Sequence, residues 1–212
     1  GQETYQYVVG ASFGSILMEL MPVACASLHI HSKDTGYGKT TALYAALTPW
    51  GNPKELLMEK EDTLNTKMNR GEIYHSLPFF LAYQYVSGRQ RRRLTGSANV
   101  ERYNGLSWSF TSVSTGNVSI IERIGMYKNA PKAEAQRILE YKVDKMFKSP
   151  SDKERTDKFS KEIFNHWGHA GIPFVQCVIN NLEEIKGILE HVQKRIDKDA
   201  GLAAENRFWS AG

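Results

Sequence analysis

The segment Gly36-Tyr37-Gly38-Lys39-Thr40-Thr41 constrains this chain more than any other. It stands between a short run that alternates like a strand, Ser27-Leu28-His29-Ile30-His31, and the run Lys39 to Leu47, which opens well as a helix. A strand, a glycine-containing turn and Lys-Thr at the start of a helix is the context in which such a turn binds phosphate. The turn's backbone N–H groups point inward, and the helix N-terminus adds unpaired donors and the positive end of its dipole. Gly36 and Gly38 permit backbone angles that a Cβ obstructs. Asp34, Thr35, Gly36, Tyr37, Gly38, Lys39, Thr40 and Thr41 are therefore the expected nucleotide-binding residues, with ATP and Mg²⁺ as ligands. Lys39 would bridge the β- and γ-phosphates, and the Thr40 hydroxyl would hold the metal. One departure stands out: the pattern GxxxxGK[ST] expects Gly at position 33, and this chain has Lys33. The plainer reading is a glycine-rich turn that happens to precede Lys-Thr.

The chain's 212 residues suffice for one such core and a small helical appendage. Hydrophobic residues make up 41% and charged residues 24%, an ordinary globular balance. No stretch approaches the roughly 18 apolar residues of a membrane span; the longest, Ile16 to Ile30, is broken by Glu19, Pro22 and Ser27. No basic and then apolar leader is present, which argues against a secretory signal. Cys25 and Cys177 lie far apart, in neither metal nor redox spacing, and read as buried free thiols of a reducing cytosol. The six histidines show no zinc pattern. The net charge of +4 is mild, but its distribution is not: Arg89, Arg91, Arg92 and Arg93 crowd one short run.

Along the chain, Phe13, Ile16, Leu17, Leu20 and Met21 recur at helical spacing, and Pro22 ends that helix. Pro49, Gly51 and Pro53 break the helix that follows Lys39. Residues from Pro53 to Arg70 read as charged and helical with a short strand among them, and Leu77-Pro78-Phe79-Phe80-Leu81 suits a buried strand. Leu106 to Ser114 alternates apolar residues with serine and threonine as a strand does. Asn117 to Arg123 starts another helix, and Ala130 to Lys153 fits either a helix or a short strand with a linker. From Phe159 the pattern is helical; Leu182, Ile185, Ile188, Leu189, Val192 and Ile196 form an apolar stripe suited to core or interface packing. Strands alternating with helices predict an α/β P-loop NTPase core, AAA+/RecA-like, over residues 1–152, with a helical subdomain over 153–212.

A P-loop ATPase needs acidic residues at the end of a second buried strand, to hold the magnesium shell and polarise the attacking water. Leu77 to Leu81 is the strand for this task, yet Ala82-Tyr83-Gln84-Tyr85 follows, with no Asp or Glu until Glu101. Two readings compete. The chain binds nucleotide without hydrolysing it, or the sequence omits a stretch between Leu81 and Ala82, where no residues are left to turn the chain.

Together these motifs resemble a family of phage and mobile-element P-loop ATPases, catalogued as a domain of unknown function and labelled helicase-like. That family looks related to AAA+ helicases of the minichromosome-maintenance type. The resemblance runs over nearly the whole chain: Ala11 to Ala24, Ser27 to Thr41, Trp50-Gly51-Asn52-Pro53, and Leu77 to Leu81, which in the family precedes Asp-Glu. It continues through Ser87-Gly88-Arg89-Gln90-Arg91, Ser112 to Asn117, Ala135 to Glu140, Gly168-His169-Ala170-Gly171 and Asn206-Arg207-Phe208. It implies that Asn117 senses the γ-phosphate and that Arg137 is an arginine finger acting across a subunit interface. The catalytic groups would then be Lys39, Asn117 and Arg137. A finger in trans requires an oligomer, expected to be a hexameric ring.

Each role has a rival. Asn117 could cap the helix that follows, and Arg137 could be a solvated helix charge. Arg89, Arg91, Arg92 and Arg93 could be a solvated patch, or could bind nucleic-acid phosphates from a basic hairpin bracketed by Gly88 and Gly96. Tyr83, Tyr85 and Tyr103 could stack on bases or be buried. The leading expectation is an ATP-driven, helicase-like motor on single-stranded DNA, part of a longer phage or mobile-element replication protein in the cytoplasm of a bacterial host, with no membrane partner. The alternatives are a non-hydrolysing, nucleotide-gated assembly module and a small-molecule kinase on the same loop.

Overall fold

The computed structural model describes residues 2–22, 25–57, 93–94, 101–102, 109–126, 138–143 and 149–201. The expected strand Leu77 to Leu81, the Leu81–Ala82 junction, Arg89, Arg91, Arg92, Arg137 and the three tyrosines lie outside the described residues. The elements are α1 (Gln2–Leu17) with a closing 3-10 turn (Met18–Leu20), β1 (Cys25–His31), α2 (Lys39–Leu47) and α3 (Pro53–Leu56). After them come β2 (Arg93–Leu94), β3 (Glu101–Arg102), β4 (Phe110–Gly116), α4 (Ile120–Gly125) and β5 (Ile138–Lys142). The chain continues through α5 (Pro150–Ile163), α6 (Gly171–Asn180) and α7 (Leu182–Ala200).

The architecture is mixed α/β. Three parallel strands form a sheet in the order β4-β1-β5, with β1 central. Strand β1 is buried along nearly its whole length because it has neighbours on both edges and helices on one face. On that face Leu28 and Ile30 pack with Val8 of α1, Ala42 and Ala46 of α2, and Val143. Each large aliphatic side chain removed from water there contributes about 1.5–3 kcal/mol. The alanines of α2 let that helix lie close to the sheet, which fixes the loop joining β1 to α2. The other face of β1 is polar: Ser27 meets Ser112 at 3.0 Å, and His29 meets Ser114 at 2.9 Å.

The helical tail is attached at the far end of α2. Gly168 N–H donates to Thr48 O at 2.8 Å and Gly171 N–H to Pro49 O at 2.8 Å. Around this seam Phe13, Trp50 and Phe174 form an aromatic cluster, with Phe13 and Phe174 centroids 4.8 Å apart, and Tyr44 meets Phe164 at 5.0 Å.

Several sequence expectations shift. Helix α5 begins at Pro150 with a Ser149–Asp152 capping box, so the 152/153 boundary falls in its first turn. The region from Ala130 to Lys153 contains a strand, β5. Strand β4 ends at Gly116, two residues beyond the expected Ser114. The helix expected from Asn117 starts at Ile120, and its cap is Ser119, whose side chain accepts from Glu122 N–H. Cys25 is buried, but Cys177 is exposed on α6, because it lies off that helix's packed face. The stripe of α7 is not core: no residue of α7 is buried, and Ile188 stands 53% exposed. The backbone at Arg93 pairs antiparallel with Arg102, and that at Leu94 with Glu101. Among the described residues no helix is long and apolar enough to cross a membrane.

Candidate functional site

The carboxyl ends of β1 and β4 lie side by side, with His31 opposite Gly116 in register. Open parallel sheets form their ligand crevice at such an edge. The chain leaves β1 through Ser32 to Gly38 and enters α2 at Lys39. Gly36 and Gly38 have φ of 78° and 72°, in the left-handed region that a Cβ disfavours. Gly38 is the N-cap of α2, so no side chain caps this helix, and its first turn carries no acidic residue. Helices α3, α4 and α5, by contrast, begin on Asn52, Ser119 and Ser149, whose side chains accept backbone N–H groups. The first turn of α2 thus keeps its donors and dipole for another acceptor.

Lys39 is buried, with 9% of its surface exposed. Its ammonium donates to Ser32 Oγ at 2.7 Å, Ser32 O at 3.1 Å, Asp34 O at 3.0 Å and Asn117 Oδ1 at 2.9 Å. Burial pulls the Lys39 ammonium below its usual pKa, and the Asp34 carboxylate opposes that shift. The Asp34 carboxylate accepts from the Tyr37 hydroxyl at 3.0 Å, which ties the loop across its own turn. Asp34, Thr35, Gly36 and Thr40 are exposed around this lysine, and Tyr37, Gly38 and Thr41 are half-buried.

Asn117 arrives from a different part of the chain, at the end of β4. The turn that carries it is held by two residues that sequence reasoning missed. His29 Nε2 lies 3.0 Å from Val118 O; that carbonyl can only accept, so Nε2 carries the proton. Glu140 of β5 accepts from the Ser119 hydroxyl and from the backbone N–H groups of Ile120 and Ile121. His29, Ser114 and Glu140 occupy one register row across the three strands. The signal for this row was the polar alternation Ser27-His29-His31 in β1, repeated as Ser112-Ser114 in β4.

Of the expected site residues, Asp34 and Asn117 meet at the Lys39 ammonium, together with Ser32, while Thr35 to Thr41 adjoin it along the loop and the first turn of α2. Arg93 lies in the small antiparallel pair, and the other arginines singled out in the sequence lie outside the described residues. Among the described residues no group of three or more His, Cys, Asp or Glu side chains is arranged to hold a metal. A magnesium ion bound mainly by phosphate oxygens and water needs few protein ligands, and Thr40, an exposed residue in the first turn of α2, is the residue that would hold it.

No family model matches the chain, and no curated protein matches it in sequence. A solved structure of the SCCmec type IV Cch active helicase is similar in fold, with a TM-score of 0.68 and 16% sequence identity. The likeness covers 96% of this chain and 39% of that one, so the chain corresponds to well under half of the larger protein's length.

Proposed function

We propose that this chain is the nucleotide-binding core of a helicase-like P-loop ATPase that works on nucleic acid. The observation that carries the reading is the 2.9 Å contact between Lys39 Nζ and Asn117 Oδ1, made at the carboxyl ends of neighbouring parallel strands. It joins the cation that would neutralise transferring phosphate to an amide that could read the γ-phosphate or orient water. In this reading the loop amides from Asp34 to Lys39 hold the phosphates by hydrogen bonds. Lys39 would exchange its loop carbonyl partners for phosphate oxygens, and Thr40 would be the residue to hold Mg²⁺, whose charge would offset that of the phosphates. The likeness in fold to a helicase, over almost all of this chain, supports a motor over a small-molecule kinase. The basic run from Arg89 to Arg93, bracketed by Gly88 and Gly96, would meet phosphates of single-stranded DNA in this reading. Membership of the helicase-like phage family, assembly as a hexameric ring and an Arg137 finger in trans belong to the same proposal.

The test is nucleotide binding and DNA-stimulated ATP hydrolysis in the wild type and Lys39→Ala. Lys39→Ala should weaken binding of a fluorescent ATP by about tenfold or more, as loss of a charged hydrogen-bond partner implies, and should abolish stimulated turnover. Equal affinity and equal rates in both proteins would overturn the reading.

A second reading rests on one observation, the absence of Asp or Glu between Glu72 and Glu101. It is a module that binds nucleotide and changes its assembly without hydrolysis. Lys39-dependent binding with no phosphate release, with or without DNA, would select it.

A further inference from the structure

The sheet's polar face is costly unless every group on it is paired. Glu140 has only 11% of its side chain exposed, on an edge strand of the parallel sheet. Its two oxygens hold the turn after β4: Oε2 accepts from the Ser119 hydroxyl and also stands 3.9 Å from His31 Nε2, and Oε1 accepts from the N–H groups of Ile120 and Ile121. From the central strand, His29 grips the same turn at Val118 O. Gly116 makes this possible, because a Cβ there would sit 3.0 Å from His29 Cε1. The gripped residues, Val118 to Ile121, immediately follow Asn117. Ser119 already caps α4, so Asn117 is not needed as a cap and its amide oxygen is directed to Lys39.

We propose that Glu140 and His29 are positioning residues for Asn117, fixing its amide over the Lys39 ammonium through the Val118–Ile121 turn. The inference rests on the reading of Lys39 and Asn117 as parts of a phosphate site and adds to it a device for γ-phosphate discrimination. Neither Glu140 nor His29 touches the phosphate position; they hold the strand end from which the amide reaches it. A hydrogen bond to a terminal phosphate depends steeply on distance and angle. Loosening the turn should therefore cost affinity for a triphosphate while leaving the diphosphate, held by loop amides and Lys39, nearly unaffected.

The experiment measures dissociation constants for Mg·AMP-PNP and Mg·ADP by competition against a fluorescent nucleotide, and takes their ratio. Asn117→Ala should lower the preference for the triphosphate by about tenfold. Glu140→Ala should lower it by a similar factor in the wild-type background and by nothing further in the Asn117→Ala background, since coupled residues are non-additive. Glu140→Gln keeps an acceptor for the two backbone amides and should recover most of the preference. If Glu140→Ala does not fold, His29→Ala is carried through the same cycle with the same expectation.

A merely structural role would weaken both ligands alike and leave the ratio unmoved; that result overturns the inference. So does an equal loss in both backgrounds, or a wild type with no preference between the two ligands. Failure of the underlying reading looks different: Lys39→Ala would then leave both affinities unchanged, and reading and inference fall together.

Discussion

Gly171→Ala should loosen the attachment of the helical tail, and the size of the effect can be worked out atom by atom. Gly171 opens α6 and is buried against the α2–α3 connection. A Cβ at this position would lie 2.6 Å from Trp50 Cε3, 3.1 Å from Trp50 Cζ3 and 2.9 Å from Pro49 O. Comfortable carbon contacts begin near 3.5 Å, so about 1 Å of relief is needed. Neither neighbour gives it freely. Pro49 O is the acceptor of the Gly171 N–H at 2.8 Å, and the Trp50 ring is held by Phe13 and Phe174 at centroid distances of 5.4 and 6.5 Å. Overpacking of this kind costs about 1–3 kcal/mol. Better helix propensity returns up to about 1 kcal/mol. The net expectation is a loss of about 1–2 kcal/mol.

Urea denaturation followed by tryptophan fluorescence measures it as a lower midpoint at unchanged slope. Two other glycines calibrate the result. Gly187 sits in the middle of α7 with nothing within 4 Å of a Cβ, so Gly187→Ala should stabilise by about 0.5–1 kcal/mol. Gly168 has room but a φ of 79°, so Gly168→Ala should cost about 1–2 kcal/mol from backbone strain alone. A Gly171→Ala protein as stable as the wild type, alongside a stabilised Gly187→Ala, would refute the seam.

Four further outcomes are expected. Burial lowers the Lys39 pKa and phosphate favours its charged form, so nucleotide affinity should be full below the lowered pKa. It should fall as pH rises through that value, starting below the ordinary 10.5, whereas Lys39→Arg should stay flat in a pH series of fluorescent-nucleotide titrations; wild-type affinity constant up to 10.5 would contradict this. Glu140→Ala strips three donors of their shared acceptor and should cost about 3 kcal/mol in a denaturation midpoint series, with Glu140→Gln costing less; equal stability of all three proteins would disprove the cap. Ile30→Ala, at a fully buried position, should cost about 2–5 kcal/mol. Ile188→Ala, on the exposed face of α7, should cost less than about 1 kcal/mol by the same assay, and reversal of that order would show that the α7 stripe is core after all.

What the sequence settles by itself is local. Left-handed turn positions at Gly36 and Gly38, the helix opening at Lys39 and the break before α3 are short-range consequences of residue type. The amphipathic stripe of α7 was legible as a pattern, but its exposure was not, since periodicity reports a face and not what covers it. The tertiary structure decides the rest. Asn117 stands 78 positions from Lys39, and only the parallel pairing of β4 with β1 brings its amide to 2.9 Å. His29 and Glu140 read as a strand histidine and a charged residue near a possible linker until the β5 pairing lines them up with Ser114. Nothing in the neighbours of Gly171 betrays that Trp50 fills the space of its missing Cβ. Residue type acts on its own backbone and the next turn, whereas register and packing join partners whose separation along the chain carries no information.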